Sequence, residues 1–159
     1  MQLLRNAEKG LVFSLDKREK QLLVMALRLY PLLPLAHHRI SRGSDNVMAE
    51  KTQSLLSEAM GAQKDENKRR LDLLLANERH LVEAKTGWRL NLDFDQVEWF
   101  LQVLNDVRVG SWLILGCPDP EDGETPDLNP QNARYVVSME VCGHVEAAIL
   151  HALEQSRAG

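Results

Sequence analysis

Three polar residues interrupt the most apolar predicted helix of this chain and are the first candidates for chemistry. Asn105, Asp106 and Arg108 lie in a segment whose hydrophobic residues recur at helical spacing. On such a helix Asn105, Arg108 and Trp112 share one face, whereas Asp106 points elsewhere. An arginine beside a tryptophan on a partly buried face needs an anionic or carbonyl partner.

Two interpretations of Arg108 remain open at this point. In the functional one, Arg108 holds a small anion or a carboxylate of a partner and Asn105 orients it, so that Asn105, Asp106 and Arg108 are candidate contact residues. In the structural one, Arg108 binds a backbone carbonyl or a carboxylate of a neighbouring helix. Buried polar groups are normally satisfied inside the fold, which favours the structural interpretation.

The histidines have weak metal-binding spacing. His144 and His151 lie two turns apart on one predicted helix, and Glu140 lies one turn before His144. A metal site in a helical bundle needs ligands from further helices, and no second motif of this kind supplies them. Nucleophile elbows, glycine-rich phosphate loops and zinc spacings are missing as well. We therefore predict no metal, no cofactor and no catalytic residue.

The two cysteines, Cys117 and Cys142, form neither a CxxC pair nor a disulfide framework. We expect two free thiols in a reducing compartment, packed as small hydrophobic side chains. The alternative is a redox pair that closes if the two ends of the fold meet.

Two basic clusters could contact phosphate: the loop residues His37, His38, Arg39 and Arg42, and the helical run Lys68–Arg70. Acidic neighbours nearly cancel the second run, and aromatic residues do not alternate with the basic ones. The net charge is −4, whereas broad nucleic-acid binders usually carry a basic excess. Nucleic acid is thus an unlikely partner on sequence grounds, and a small anion is a better one.

Hydropathy indicates a cytoplasmic protein that does not span a membrane. Charged residues interrupt the N-terminal segment before an apolar stretch of signal-peptide length is reached. No uninterrupted apolar run reaches the length of about 18 residues that a transmembrane helix needs. The most apolar stretch, from Leu27 to Ala36, is broken by Arg28, Pro31 and Pro34.

A strand that leads into a helix occurs twice, at Val12–Glu19 and at Arg89–Gln96. In both, alternating apolar residues predict a half-buried strand. Asp16 and Asp93 then follow as helix N-caps, with Glu19 or Gln96 at the third helical position, which is the pattern of a capping box.

We predict a single domain over residues 1–159 that is mainly α, with about five helices packed around a central apolar helix. The helices are expected at about 17–30, from Ser44 or Asp45 to Gly61, and at about 63–84, 94–115 and 131–155. A two- or three-stranded sheet, a minor α+β component, would use residues 3–5, 11–15 and 88–92. A proline-rich loop occupies 116–130.

These elements resemble an uncharacterised bacterial family, domain of unknown function two-thousand-seventeen, which is typical of actinobacteria. The resemblance rests on the strand before Leu15-Asp16, on Leu90–Asp93 leading to Trp99–Leu101, and above all on Leu104–Arg108. The family implies no established enzymatic activity. Its genes often lie near that of the Clp-protease adaptor, which implies a regulatory or stress context. The long proline-rich loop at 116–130 departs from the family's usual shape.

The sequence therefore favours a non-enzymatic regulatory or adaptor-type interaction domain, whose partner is another protein or a second copy of itself. The alternative is a small-molecule-binding or enzymatic domain with Asn105 and Arg108 at its site. A third reading is a weak nucleic-acid-binding regulator. An enzyme should show a deep pocket lined by Arg108, an interaction domain a flat apolar patch, and a nucleic-acid binder a basic stripe.

Overall fold

The computed structural model describes residues 1–7, 10–33, 47–77, 79–119 and 128–157. Four strands and four helices lie in this part of the chain. They are β1 (Gln2–Ala7), β2 (Gly10–Leu15), α1 (Lys17–Leu27), α2 (Val47–Ala76), β3 (Leu81–Ala84), β4 (Gly87–Asp93), α3 (Phe94–Ile114) and α4 (Ala133–Arg157).

The four strands form one antiparallel sheet in the order β1-β2-β4-β3. In its centre Leu11 pairs with Leu92 and Phe13 pairs with Leu90. All four of these side chains are buried, as strand alternation requires when one face of a sheet is covered. The strands predicted at 11–15 and 88–92 are confirmed.

Helices α1, α3 and α4 pack together over this core. Helix α3 supplies the largest group of buried side chains among the helices, including Phe100, Val103, Leu104 and Val107. The contact between α3 and α4 is the most extensive one between two helices, and α4 also packs against α1 and β1. Because α3 follows β4 without a loop, the sheet fixes where α3 begins.

In the described part of the chain, one segment within α4, Ala133–Ser156, is long and apolar enough to cross a membrane by length and composition. In this fold it buries Cys142, Val145 and Ile149 in the core. Such packing is also expected of a core helix, so the segment is weak evidence for a membrane span.

The predicted fold class is wrong, because the described residues form four helices and a four-stranded sheet, which is an α+β fold. The two helices predicted on either side of Gly61 are one continuous helix, α2. A glycine inside a helix costs about 1 kcal/mol relative to alanine, which a long helix tolerates. The predicted helix end at 81–84 is instead strand β3, in which Leu81 pairs with Leu90.

The turn between β3 and β4 explains this second difference. Gly87 adopts a φ of 124°, a conformation that side-chain-bearing residues rarely reach. A Cβ atom at Gly87 would also collide with the carbonyl oxygen of Leu15. The chain therefore reverses here, and a short edge strand pairs with β4 where helical spacing had predicted a longer helix.

Both predicted capping boxes are present, at Asp16 with Glu19 and at Asp93 with Gln96. At the first, Glu19 N–H donates to Asp16 Oδ1 at 2.7 Å and Asp16 N–H donates to Glu19 Oε2 at 2.8 Å. At the second, Asp93 N–H donates to Gln96 Oε1 at 3.0 Å. The basic loop at 37–42, the cap at Ser44 or Asp45 and residues 120–127 of the proline-rich loop lie outside the described residues.

Candidate functional site

Asp106 lies on the buried side of α3, where it ties two distant segments together. Its Oδ1 accepts the backbone N–H groups of Leu32 and Leu33, at 2.6 and 3.1 Å. Its Oδ2 lies 2.9 Å from the ammonium group of Lys64 on α2. Gly110 allows this close packing, since a Cβ atom there would collide with Leu32.

Further polar contacts extend this tie along α2. The ammonium group of Lys64 also donates to the carbonyl of Leu33, and Tyr30 Oη donates to the carbonyl of Lys64 at 3.4 Å. Burial, and secondarily the charge of Asp106, raises the pKa of the Tyr30 hydroxyl to about 12. A phenol held neutral and a carboxylate with three donors are what an internal hydrogen-bond network requires.

Asn105 and Arg108 lie on a different face of α3, next to α4. Arg108 Nη2 donates to Asn105 Oδ1 at 2.9 Å. Arg108 Nε lies 2.8 Å from Glu146 Oε2, in an ion pair whose arginine side chain is 42% exposed and whose glutamate side chain is 15% exposed. Burial raises the pKa of the Glu146 carboxyl, and the charge of Arg108 opposes this shift. The three predicted site residues therefore do not converge on one point.

The α3–α4 interface holds polar atoms that lack hydrogen-bond partners. In the described residues, the buried side-chain atoms without a partner are Arg108 Nε, Glu146 Oε1, Ser111 Oγ and Ser138 Oγ. All of them belong to α3 or α4. The ion pair of Arg108 with Glu146 is close in distance but not aligned as a hydrogen bond. Buried polar atoms without hydrogen-bond partners lower the stability of the fold. The α3–α4 interface is therefore a polar region within the core.

Both cysteines have free thiols, as predicted. Cys142 is fully buried on α4, and burial together with the nearby Glu146 raises the pKa of its thiol to about 12. A thiol that stays protonated is a weak nucleophile, which leaves Cys142 as a packing residue. Cys117 is exposed.

The histidines predicted on α4 lie apart from any cluster. His144 and His151 are both exposed, and His151 Nε2 lies 2.9 Å from Gln155 Nε2. Over the described ranges, no group of three or more His, Cys, Asp or Glu side chains could hold a metal ion.

A wide cleft that the sequence analysis did not identify lies between α2, the turn before β3 and the first turns of α3. Its volume is about 1050 Å³. One wall is a stripe at helical spacing on α2 that contains Glu66, Arg69, Arg70 and Leu73, and it continues to Asn77 just after the helix. The other wall is made by Arg79, His80, Asp95, Gln96 and Trp99. We name this feature the arginine cleft.

The charges in the arginine cleft are only partly paired. Glu66 accepts from Arg69 Nε and Nη2, both at 2.9 Å, and from Arg70 Nε at 2.8 Å. These hydrogen bonds, first from Arg69 and then from Arg70, lower the pKa of the Glu66 carboxyl to about 2. One carboxylate thus serves two guanidinium groups and leaves them with a net positive charge.

Arg79 adds a further cation at the mouth of the arginine cleft. Its backbone is fixed, because Arg79 N–H donates to Asn77 Oδ1 at 2.9 Å and Asn91 Nδ2 donates to its carbonyl at 2.7 Å. Its side chain is exposed, and its guanidinium has no partner within the described part of the chain. A fixed backbone with an unpaired cation is suited to an external anionic group.

His80 joins the arginine cleft to the cap of α3. Gln96 Oε1 accepts from Asp93 N–H, so Gln96 Nε2 is the amide end that faces His80 Nε2, at 3.4 Å. On the other side of the ring, His80 Nδ1 lies 3.2 Å from the carbonyl of Asn91. These contacts are satisfied together when Nδ1 carries the proton and Nε2 accepts. His80 thereby braces one wall of the cleft.

The signal for the arginine cleft was present in the sequence but incomplete. The sequence places Arg69 and Arg70 in a basic run whose charge is nearly balanced by acidic neighbours. In the structure Glu66 does pair with both arginines. What local sequence does not contain is the approach of Arg79 and Trp99, which depends on how α2 and α3 meet. One part-buried contact between these two helices is Asn67 Nδ2 donating to Gln102 Oε1 at 3.0 Å.

Comparisons with protein families, curated proteins and solved structures found no match for this chain. The resemblance to domain of unknown function two-thousand-seventeen therefore stays a prediction.

Proposed function

We propose that this chain is a non-enzymatic, cytoplasmic interaction domain of the regulatory or adaptor type, and that the arginine cleft is its contact surface for another protein. The observation that carries the proposal is the composition of this cleft. The cleft combines the exposed Leu73 with three arginines, Arg69, Arg70 and Arg79. Trp99 lies at its base, in the wall that His80 stabilises.

The shape of the arginine cleft favours a macromolecular segment over a small molecule. Small-molecule sites usually enclose a ligand and bury about 70–90% of its surface. This cleft is broad and open along the exposed side of α2, so a small molecule in it would stay largely in solvent. A protein segment laid along α2 would cover Leu73, whose side chain is 56% exposed.

The contact residues that the sequence predicts on α3 are Asn105, Asp106 and Arg108. We infer that they contribute to binding at the arginine cleft only through the stability of the fold. Asp106 is engaged by Leu32, Leu33 and Lys64, and Arg108 is engaged by Asn105 and Glu146. None of these side chains lines the arginine cleft. We infer that they stabilise the fold that presents it.

Co-purification from the native lysate tests the proposal when it is done with matched variants. Leu73→Asp places a charge in the arginine cleft, and Leu150→Asp makes the same change at an exposed leucine on α4. We expect a protein partner that is recovered with the parent and with Leu150→Asp but is lost with Leu73→Asp.

The proposal would be overturned by two results. One is that the recovered proteins are the same for the parent and for Leu73→Asp. The other is that Leu150→Asp, not Leu73→Asp, loses the partner, which would move the contact surface to α4. Circular dichroism of each variant establishes that neither change unfolds the chain.

A further inference from the structure

We propose that the arginine cleft binds an acidic segment of its partner, with an apolar side chain between the acidic residues. The carboxylates would meet Arg79 and the Arg69–Arg70 pair, and the apolar side chain would cover Leu73. This inference rests on the proposed function and narrows it to one class of partner.

The charge of the cleft supports an acidic partner. Three arginines face two carboxylates there, those of Glu66 and Asp95, while the whole chain carries a net charge of −4. The cleft is thus locally positive on an acidic protein. Because opposite potentials steer association, an acidic segment would be attracted to this cleft although the chain as a whole is acidic.

The arrangement of the guanidinium groups supports carboxylates as the groups that are recognised. Glu66 holds Arg69 through two parallel hydrogen bonds and Arg70 through one. The two side chains are therefore ordered before a partner arrives, which lowers the entropic cost of binding. Arg79 provides a planar donor group with no competing acceptor among the described residues, and a carboxylate can accept from it in bidentate fashion.

The apolar part of the cleft supports a mixed segment over a purely acidic one. Leu73 lies between Arg69 and Arg70 on one side and Ala76 and Asn77 on the other, and its side chain is 56% exposed. Covering it removes apolar surface from water, which purely electrostatic contacts would not do. An apolar anchor flanked by acidic residues matches this order along α2.

The same carboxylates argue against a nucleic-acid backbone in this cleft. Glu66 and Asp95 lie on opposite walls, where they would repel a continuous row of phosphates. A peptide can place its acidic residues only where the arginines are. We therefore infer a protein segment, and a nucleic acid is an outcome that the experiment must be able to report.

Fluorescence anisotropy with a synthetic peptide tests the inference. The probe is a fluorescein-labelled peptide of aspartate and glutamate residues around one central leucine. The variants are Arg79→Gln in the cleft and Arg18→Gln as a control, since Arg18 is exposed on α1 and does not line the cleft. A second peptide replaces each acid by its amide, a third replaces leucine by serine, and a labelled single-stranded oligonucleotide is measured in parallel.

We expect the acidic peptide to bind the parent and Arg18→Gln equally, and Arg79→Gln about tenfold more weakly, as for the loss of one charge-assisted hydrogen bond. The amide peptide should not bind, and the serine peptide should bind more weakly than the leucine peptide. Weakening by Arg79→Gln must disappear at high salt, where screening removes the charge contribution.

Three results would overturn the inference: no binding of the acidic peptide, equal binding by Arg79→Gln and Arg18→Gln, or tighter Arg79-dependent binding of the oligonucleotide. These failures are distinguishable from failure of the proposed function. If Leu73→Asp still loses its partner from the lysate, the cleft remains the contact surface, and only the inference that the partner segment is acidic is wrong. If the lysate experiment fails as well, both proposals fall.

Discussion

The polar residues of α3 and those of the arginine cleft use charge in opposite ways. On α3, Asp106 and Arg108 each have an opposite charge within the chain, at 2.9 and 2.8 Å. In the cleft, Glu66 alone is shared by Arg69 and Arg70, and Arg79 has no partner in the described ranges. Charges that are paired internally hold a fold together, whereas unpaired charges on a fixed backbone remain available for binding.

This difference in charge pairing bears on how a binding site can be recognised from a sequence. Asn105, Asp106 and Arg108 stand out in the sequence because they interrupt an apolar helix, and in the fold Asp106 is engaged by Leu32 while Arg108 is engaged by Asn105 and Glu146. The arginines of α2 look ordinary in a strongly charged helix. Only the tertiary structure shows that they line one cleft together with Arg79 and Trp99.

The largest effect that sharpens this comparison is expected at Asp106. Replacing it with alanine leaves two backbone N–H groups and the Lys64 ammonium group without their acceptor, in a site that is 5% exposed. We expect a loss of about 3–5 kcal/mol in the free energy of unfolding, as for other broken buried pairs. Urea denaturation measures it.

Asp95→Ala, on the same helix but exposed in the arginine cleft, is the control and should cost less than about 1 kcal/mol. Equal losses for the two variants would mean that Asp106 is no more structural than a surface carboxylate.

A smaller effect is expected at Arg108. Arg108→Met removes the partners of Glu146 and Asn105 and should lower the free energy of unfolding by about 1–3 kcal/mol. The double variant Arg108→Met, Glu146→Gln should recover part of the loss, because it no longer leaves a mostly buried carboxylate without a cation. Thermal unfolding is measured with and without phosphate, sulfate and acetate. A stable Arg108→Met variant, together with a parent that these anions stabilise, would restore Arg108 as a recognition group.

The next smaller losses of stability are expected at the helix caps. Asp16→Ala and Asp93→Ala should each cost about 1 kcal/mol, since each removes a capping box at the start of a helix. Chemical denaturation of both variants checks this. If both unfold at the same denaturant concentration as the parent, the interpretation of two equivalent strand-into-helix units is wrong.

The smallest expected effect on stability comes from the ionisation of Glu66 in the arginine cleft. The folded-state pKa of Glu66 is lowered from 4.5 to about 2 by Arg69 and Arg70. A lowered carboxyl pKa contributes stability above its ordinary value, and this contribution is lost as the pH falls from about 4.5 towards 2. Nuclear magnetic resonance titration of the Glu66 carboxyl should show a midpoint near pH 2 that rises in Arg69→Gln. An unchanged midpoint in that variant would contradict the shared ion pair.

Elements with a strong local pattern could be predicted from the sequence. Alternation at Leu11, Phe13 and Leu15 gave the central strand, and the spacing of Asp16 with Glu19 gave the first helix start. Strand β3 could not be predicted, because its four residues become a strand only by pairing with β4 through the turn at Gly87. Gly61 misled the prediction for the opposite reason, since a helix as long as α2 continues through a single unfavourable residue.

The candidate site was less predictable than the fold. Helical periodicity correctly separates Asp106 from Asn105 and Arg108 on α3. It cannot supply Lys64 or Leu32 as partners, because these residues are distant in sequence and reach Asp106 only through tertiary packing. The arginine cleft has the same limitation, since its two walls come from different elements.

The central claim is that the arginine cleft, and not the Arg108 face of α3, is where a partner binds. The chain has three tryptophans, of which Trp99 lines the cleft and Trp112 lies on the Arg108 side of α3, with its indole N–H donating to the carbonyl of Pro118 at 3.1 Å. Titration of ¹⁵N-labelled protein with the acidic, leucine-containing peptide reports both indole groups in one spectrum. We predict that the Trp99 indole signal shifts with peptide concentration while the Trp112 signal stays in place. A shift of Trp112 and of the Asn105 side-chain amide, with Trp99 unchanged, would contradict the account.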